Sequence, residues 1–286
     1  MNKTELKRRL VIGNANFTEK YGIDLSKIKN KEIDKILYLA KKNDIYKIDT
    51  AKAYLKNKFI FKNIDNKFEF FTKVSPNSKW VSLDFCTKHI KNHFKYFNSG
   101  KVNILFFHDI KILYKKDGKK IFKNLEILKK KNFFQKIGLS IYDPKCLEYI
   151  DSNYNFDVIQ CPYNIIDNRI ITSGWYDKLK NQKKEIHVRS IFLQGLLVNK
   201  LIYKKLLFIK WKHFFIEWFK YLKNENIDPI DYCLSDILKY DFDQIVIGVN
   251  NSDNFKEILN FKKIHKNKMT NLRISDSKLI DPRKWK

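Results

Sequence analysis

Short apolar runs alternate with amphipathic stretches along the whole chain. The apolar runs have the length of strands, are rich in β-branched and aromatic residues, and are bounded by polar or turn-forming residues. They predict strands at residues 9–13, 46–49, 68–74, 102–109, 136–141, 156–162, 185–192 and 243–249.

The stretches between these strands carry apolar residues at helical spacing. In two of them the apolar positions are Ile33, Ile36, Leu37 and Ala40, and Ile121, Leu125 and Leu128. Strands separated by helices run parallel, because each crossover returns the chain to the same end of the sheet. Eight such units predict an α/β fold, a single (β/α)8 TIM barrel with a parallel eight-stranded sheet.

We expect residues 1–286 to form one domain, since no linker, repeat or low-complexity block interrupts the series. The tail from about residue 263 is expected to cap the barrel. An open doubly wound sheet is the rival fold. Its usual signatures, GxGxxG after a strand and GxxxxGK[ST], do not occur in the sequence, so the barrel is favoured.

Composition places the chain among globular proteins. Hydrophobic residues make up 44% and aromatic residues 15%, which excludes a disordered chain.

The four cysteines form no CxxC motif, which argues against a disulfide framework or a zinc knuckle, and we expect them to be reduced and buried. No signal-peptide pattern or membrane-spanning apolar run occurs, so we expect a cytoplasmic protein without a membrane partner.

The net charge of +27 raises the question of nucleic acid or an anionic surface as a partner. Such a binder predicts basic residues clustered with aromatic residues on one face, whereas the lysines here are spread over all the predicted helices. Abundant Asn and Ile with scarce Gly and Ala are typical of a genome rich in A and T. We therefore favour a compositional origin of the charge over nucleic-acid binding.

Polar residues stand at or just after consecutive predicted strand ends. Each alone has an ordinary structural explanation: a cap, a solvated lysine, a core histidine. Together they differ, because the C-terminal strand ends of such a barrel converge on one mouth, where active sites are built. The residues are Asp49, Tyr54, Lys73, His108, Ser140, Gln160 and Asn164.

Proton donation by a phenol links the first four of these residues. Free tyrosine has a pKa near ~10, too high for a ready acid near neutrality. A lysine ammonium close to Tyr54 stabilises the phenolate, and Asp49 holds and compensates Lys73. His108 can orient a substrate carbonyl by a hydrogen bond. The chemistry indicated is protonation of an oxygen that gains negative charge, with no metal ion.

The motifs IDTAKAY, FFTKV and LFFHD resemble those of the aldo-keto reductase family, in order and in spacing, and the resemblance extends over nearly the whole chain. It implies an enzyme that reduces a small aldehyde or ketone with NADPH or NADH. It also implies catalytic roles for Asp49, Tyr54, Lys73 and His108. We expect the substrate to contact Tyr54, His108 and Asn164.

Later segments of the chain are similar to the family's cofactor-binding strands, namely KIGLSIYDPKCLEYI, FDVIQCPYNIIDNR, HVRSIFLQGLL and VIGVNNSDNFKEIL. The resemblance implies that Ser140 and Gln160 bind the nicotinamide carboxamide. It makes Arg189 and Ser190 candidates for nicotinamide or pyrophosphate contacts. The adenosine phosphate is expected at Gly248, Asn250 and Asn254.

The chain departs from the family pattern at three places. Ile141 stands where Asn is commonest, and Arg189 stands where many members carry an aromatic ring that stacks on the nicotinamide. Neutral side chains replace the cations that grip a 2′-phosphate, so we predict a weak or dual preference between NADPH and NADH. These neutral residues are Val249, Asn250 and Asn254.

Two other hypotheses for the function remain open. A catalytically silent protein of this fold, binding nicotinamide as a sensor or subunit, is disfavoured because all four catalytic positions are present. The nucleic-acid binder ranks below it for the reason given above.

The loop after the fourth strand, IKILYKKDGKK, is short and basic. It predicts an open mouth that admits a polar or anionic substrate, such as a sugar derivative.

Overall fold

The protein is a closed parallel barrel. The computed structural model describes residues 3–18, 23, 28–54, 64–97, 101–264 and 276–285. Each strand pairs in parallel with the next along the chain, and the last closes on the first, which confirms the predicted (β/α)8 barrel. The strands are β1 (Leu10–Gly13), β2 (Lys47–Asp49), β3 (Glu69–Val74), β4 (Lys101–Phe107), β5 (Lys136–Ser140), β6 (Val158–Pro162), β7 (Glu185–Arg189) and β8 (Gln244–Gly248).

Helices connect the strands and surround the barrel. The α-helices are α1 (Lys3–Arg9), α2 (Ala15–Thr18), α3 (Asn30–Lys42), α4 (Leu83–Phe94), α5 (Gly118–Lys130), α6 (Leu147–Asn153), α7 (Arg169–Thr172), α8 (Trp175–Asn181), α9 (Lys212–Asn224), α10 (Pro229–Ile237), α11 (Ser252–Leu259) and α12 (Ser277–Ile280). Short 3-10 turns lie at Lys52–Tyr54, Ser78–Val81, Lys95–Phe97, Ile110–Tyr114, Pro144–Cys146, Leu193–Gly195, Ile202–Lys204, Leu206–Trp211 and Pro282–Lys284.

The helical periodicity read from the sequence explains how the outer layer packs. In α3 the side chains of Ile33, Ile36 and Ala40 are buried against the barrel, as are those of Ile121 and Leu125 in α5. Polar caps set where other helices begin. The Ser82 hydroxyl accepts from the backbone N–H of Phe85 at the start of α4, and Asp228 caps α10 in the same way. None of the helices in the described ranges is long and apolar enough to cross a membrane.

The interior of the barrel determines which side chains reach its mouth. Successive side chains of a strand point to opposite faces, so residues two apart share a face. The buried interior cluster consists of Val11, Phe71, Ile104, Phe106, Val158 and Val246. Two residues further on, at the C-terminal ends of the strands, the same inward face carries Gly13, Lys73, His108, Gln160 and Gly248.

Close packing supports the mouth from below. A Cβ atom at Gly138 would lie 2.2 Å from the Phe106 ring, so the ring fills the barrel interior only because residue 138 has no side chain. Phe106 in turn lies beneath the ammonium of Lys73, whose Nζ is 5.9 Å from the ring centroid. The Phe106 ring therefore forms part of the floor of the mouth.

The end of the chain returns to the barrel. Leu279 and Ile280 of α12 are buried, and the Asp276 carboxylate accepts hydrogen bonds from Lys210 and Trp211. Residues 265–275 of the predicted capping tail lie outside the described ranges, and capping stays a prediction. The four cysteines are free; Cys146 is partly exposed, and the other three are buried.

Candidate active site

A buried ion pair lies at the C-terminal ends of β2 and β3. Lys73 Nζ donates a hydrogen bond to Asp49 Oδ1, and the side chains of the two residues are only 5% and 8% exposed. Gln160 Nε2 donates to the other carboxylate oxygen of Asp49 at 2.7 Å. This orientation of the Gln160 amide follows from the carboxylate, which only accepts. Asp49 therefore links β2, β3 and β6.

Burial changes the protonation energetics of this pair. It lowers the pKa of Lys73, because an ammonium loses its hydration inside the barrel, and the neighbouring Arg189 charge acts in the same direction. The Asp49 carboxylate opposes the shift through its charge and its hydrogen bond. Among the described residues, Asp49 is the carboxylate that pairs with this buried ammonium, and burial strengthens the field of the ammonium on a neighbouring group.

Tyr54 and His108 meet beside the pair. Tyr54 ends the short 3-10 turn that follows β2, and His108 directly follows β4. Their ring centroids are 6.1 Å apart with an interplanar angle of 78°, an edge-to-face contact. Burial lowers the pKa of His108 to about 4, and the charges of Lys73 and Arg189 contribute to this shift. His108 is therefore neutral at pH 7, with one ring N–H to donate.

The ends of β5, β6 and β7 bring three more predicted residues to the mouth. Ser140 is paired in register with Gln160, and both are buried. Arg189, the last residue of β7, is partly buried, and its Nη2 donates to the carbonyl oxygen of Ile141 at 3.1 Å. The resemblance-based cofactor contacts of these residues stay predictions, but the fold places all three at the same end of the barrel.

The chain after β7 has an unusual backbone. Ser190, Leu193 and Gln194 have φ values of 61°, 46° and 52°, in the left-handed region that costs non-glycine residues energy. Asn164 helps to hold this segment, since its Nδ2 donates to the Ser190 carbonyl oxygen and its Oδ1 accepts from the backbone of Ile166 and Asp167. The predicted substrate contact of Asn164 competes with this structural use and stays a prediction.

The end of β8 carries the positions predicted for the adenosine phosphate. A Cβ at Gly248 would meet open space, so the backbone there is open to a ligand. Asn250 Oδ1 accepts from Asn16 at 3.1 Å, and Asn254 Nδ2 donates to Glu257 at 3.3 Å. Both of these neutral side chains already have protein partners, and their contact with the cofactor stays a prediction.

Glu32 of α3 contacts the start of α11, and the sequence pattern did not predict this contact. Its carboxylate accepts from the backbone N–H of Ser252 at 2.6 Å, at the first residue of α11. Hydrogen bonds from the side chain and backbone of Ser252 lower the pKa of Glu32 to about 2, so it is ionised throughout the physiological range. The start of α11, where a helix favours an anion, already holds a protein carboxylate.

Unpartnered polar atoms test whether the mouth fits a nicotinamide. Asn14, directly after β1, is fully buried with both side-chain polar atoms unpartnered among the described residues. Thr50 Oγ1, directly after β2, and Gln160 Oε1 are also buried without a hydrogen-bond partner among the described residues. Buried polar groups rarely stay unpaired. Of these atoms, Gln160 Oε1 lies on the inward face of the barrel, where it can accept a hydrogen bond from a carboxamide N–H.

Three arginines surround Tyr142, and the sequence did not indicate this cluster either. Tyr142 lies in the loop after β5, and the guanidinium carbons of Arg189 and Arg283 lie 4.1 and 3.4 Å from its ring centroid. Arg169 Nη2 donates to the Tyr142 carbonyl oxygen at 2.9 Å. The cluster joins the loop after β5, β7, α7 and the end of the chain beside the mouth.

Fold and site together define a class of protein: a parallel barrel that carries a buried carboxylate–lysine pair, a tyrosine and a neutral histidine at its C-terminal mouth. The sequence model of the Aldo/keto reductase family matches residues 9–277. The chain therefore belongs to the aldo-keto reductase family. Family membership implies an oxidoreductase, and the family generally uses nicotinamide cofactors.

Comparison with solved structures agrees on the fold. An aldo-keto reductase from Bacillus halodurans, solved in its holo form, is 17% identical with a TM-score of 0.68, covering 90% of this chain and 88% of that chain. A provisionally assigned aldo-keto reductase from Pseudomonas aeruginosa is 15% identical with a TM-score of 0.62, covering 88% of each chain. At this identity the likeness shows the fold alone. No curated protein sequence matches this chain significantly.

Proposed function

We propose that this protein is an NAD(P)H-dependent oxidoreductase that reduces an aldehyde or ketone to an alcohol, with Tyr54 as the general acid. The observation that carries the proposal is the Tyr54–His108 ring contact beside the buried Lys73–Asp49 pair. These groups supply an acid, a neutral donor and a fixed positive charge at one mouth, which is what protonation of a carbonyl oxygen requires.

Each residue has a distinct task in this proposal. Tyr54 donates its phenolic proton to the substrate oxygen as negative charge develops there. The ammonium of Lys73 stabilises the resulting phenolate, and Asp49 holds that ammonium in place. His108, neutral at pH 7, donates a hydrogen bond to the same substrate oxygen without adding a charge. A reduced nicotinamide, when bound, supplies the hydride.

The residues that hold the cofactor are proposed on the resemblance and on the fit of the mouth. Ser140 and Gln160 bind the carboxamide. Gly248, Asn250 and Asn254 lie on the adenosine side. The neutral side chains there favour neither cofactor strongly, and the Glu32 carboxylate repels a 2′-phosphate. We therefore propose dual use of NADH and NADPH, with NADH gaining from Glu32.

The direct test is a panel of aldehydes, ketones and sugars assayed with NADH and with NADPH separately. Reduction of at least one carbonyl class with either cofactor supports the proposal, and an open mouth favours polar substrates such as sugar derivatives. Absence of cofactor oxidation across the panel, with a folded protein that binds neither nucleotide, contradicts it. More than ~100-fold tighter binding of NADPH contradicts the dual preference alone.

A further inference from the structure

The three arginines around Tyr142 differ in how their charges are balanced. Arg169 has two carboxylate partners, with Nε 2.7 Å from Asp167 and Nη1 3.5 Å from Asp143. Arg283 is paired with Asp281 through Nε and Nη2, at 2.9 and 2.6 Å. Both guanidinium groups are thus neutralised and oriented by bidentate contacts.

Arg189 differs from the other two arginines. Among the described residues, no carboxylate oxygen lies within the 4.0 Å ion-pair distance of its guanidinium. Its contacts are the Tyr142 ring, the Ile141 carbonyl oxygen at 3.1 Å and a long contact of 3.5 Å to Ser190 Oγ. A partly buried cation without a counter-charge is costly, and an arriving anion offsets that cost.

The position of Arg189 relates it to the reacting centre. It ends β7 on the inward face, and its charge lowers the pKa of both Lys73 and His108. A group bound to its free N–H donors therefore lies beside the place where Tyr54 and His108 meet a carbonyl oxygen. The stacked Tyr142 ring and the bond to Ile141 hold the guanidinium in place.

We propose that Arg189 binds an anionic group, a carboxylate or a phosphate, carried by the carbonyl substrate, with Tyr142 and Arg283 forming the adjoining wall. This deepens the proposed function and rests on it. It assigns Arg189 to the substrate, whereas the resemblance makes it a candidate for cofactor contacts. The two assignments predict different effects of substitutions at Arg189, so experiment can separate them.

The test uses three aldehydes of nearly the same size: 4-carboxybenzaldehyde, its neutral amide 4-carbamoylbenzaldehyde, and 4-formylphenyl phosphate. The wild type is expected to show a kcat/KM for one of the anions at least ~10-fold above that for the amide, mainly through KM. In Arg189→Gln this ratio falls to about 1, and in Arg189→Lys it is partly retained. The carboxylate and phosphate arms identify which anion is preferred.

Matched variants keep the result specific. Lys145→Gln removes one exposed positive charge from the same loop as Tyr142 and is expected to leave the ratio unchanged. Arg283→Gln, which removes the tail's guanidinium, lowers the ratio by a smaller factor of about 3. If Arg189→Gln does not fold, Arg189→Lys serves as the test, and a ratio equal to that of the wild type contradicts the proposal.

Two outcomes overturn the proposal while leaving carbonyl reduction intact. One is a wild-type ratio near 1 for both anions. The other is an unchanged ratio in Arg189→Gln. Dissociation constants for NADH and NADPH raised ~10-fold or more in that variant then assign the arginine to the cofactor. If the protein reduces none of the three aldehydes and no compound in the wider panel, the proposed function itself is contradicted.

Discussion

Breaking the Lys73–Asp49 pair separates its contribution to folding from its contribution to chemistry. Both side chains are more than nine-tenths buried, so Lys73→Met leaves the Asp49 carboxylate in the barrel with Gln160 Nε2 as its side-chain donor among the described residues. Removing one partner of a buried pair costs ~3–5 kcal/mol. The double variant Lys73→Met/Asp49→Asn leaves no unpaired charge in the barrel. We expect its free energy of unfolding to lie within about 1–2 kcal/mol of the wild-type value.

The assay is urea unfolding followed by the fluorescence of the buried tryptophans, alongside aldehyde reduction. Stability should fall in Lys73→Met and return in the double variant, whereas activity should stay at least ~10²-fold low in both, because the ammonium is absent from each. Lys79→Met, at an exposed position, is the control and should change neither quantity. Equal stability of Lys73→Met and the wild type, or activity restored in the double variant, would refute the reasoning.

Three further predictions concern other parts of the molecule. Burial lowers the pKa of His93 to about 3, so between pH ~6.5 and ~3 the unfolded state binds an extra proton and stability falls as the pH falls. His93→Gln should remove part of that slope in acid unfolding curves, and an unchanged slope contradicts the assignment. Gly138→Ala places a Cβ against the Phe106 ring and should cost ~1–3 kcal/mol in urea unfolding. Glu32→Gln should tighten NADPH relative to NADH several-fold in fluorescence titrations at low salt, and an unchanged ratio contradicts repulsion at α11.

The fold was predictable because strand and helix periodicities are local properties of the sequence. The observed strands begin and end within three residues of the predicted bounds. The largest difference is at β7, predicted to residue 192 but ending at Arg189. The left-handed φ of Ser190 ends it, and nothing in an apolar run such as SIFL signals such a backbone in advance.

The candidate site was predictable only in part. Its strand-end residues follow from topology, since parallel strands bring their C-terminal ends together. Contacts between distant segments leave no local trace: Glu32 and Ser252 are 220 positions apart, and Arg283 reaches Tyr142 from the end of the chain.

The central claim is that the Tyr54 phenol donates the proton in carbonyl reduction, and Tyr54→Phe tests it most directly. The variant keeps the ring that contacts His108 and loses only the hydroxyl. We predict dissociation constants for NADH and NADPH within ~3-fold of the wild type and turnover of the best aldehyde lowered at least ~10²-fold. Tyr38→Phe, at an exposed position, should match the wild type in both. Turnover by Tyr54→Phe within a few-fold of the wild type would contradict the claim.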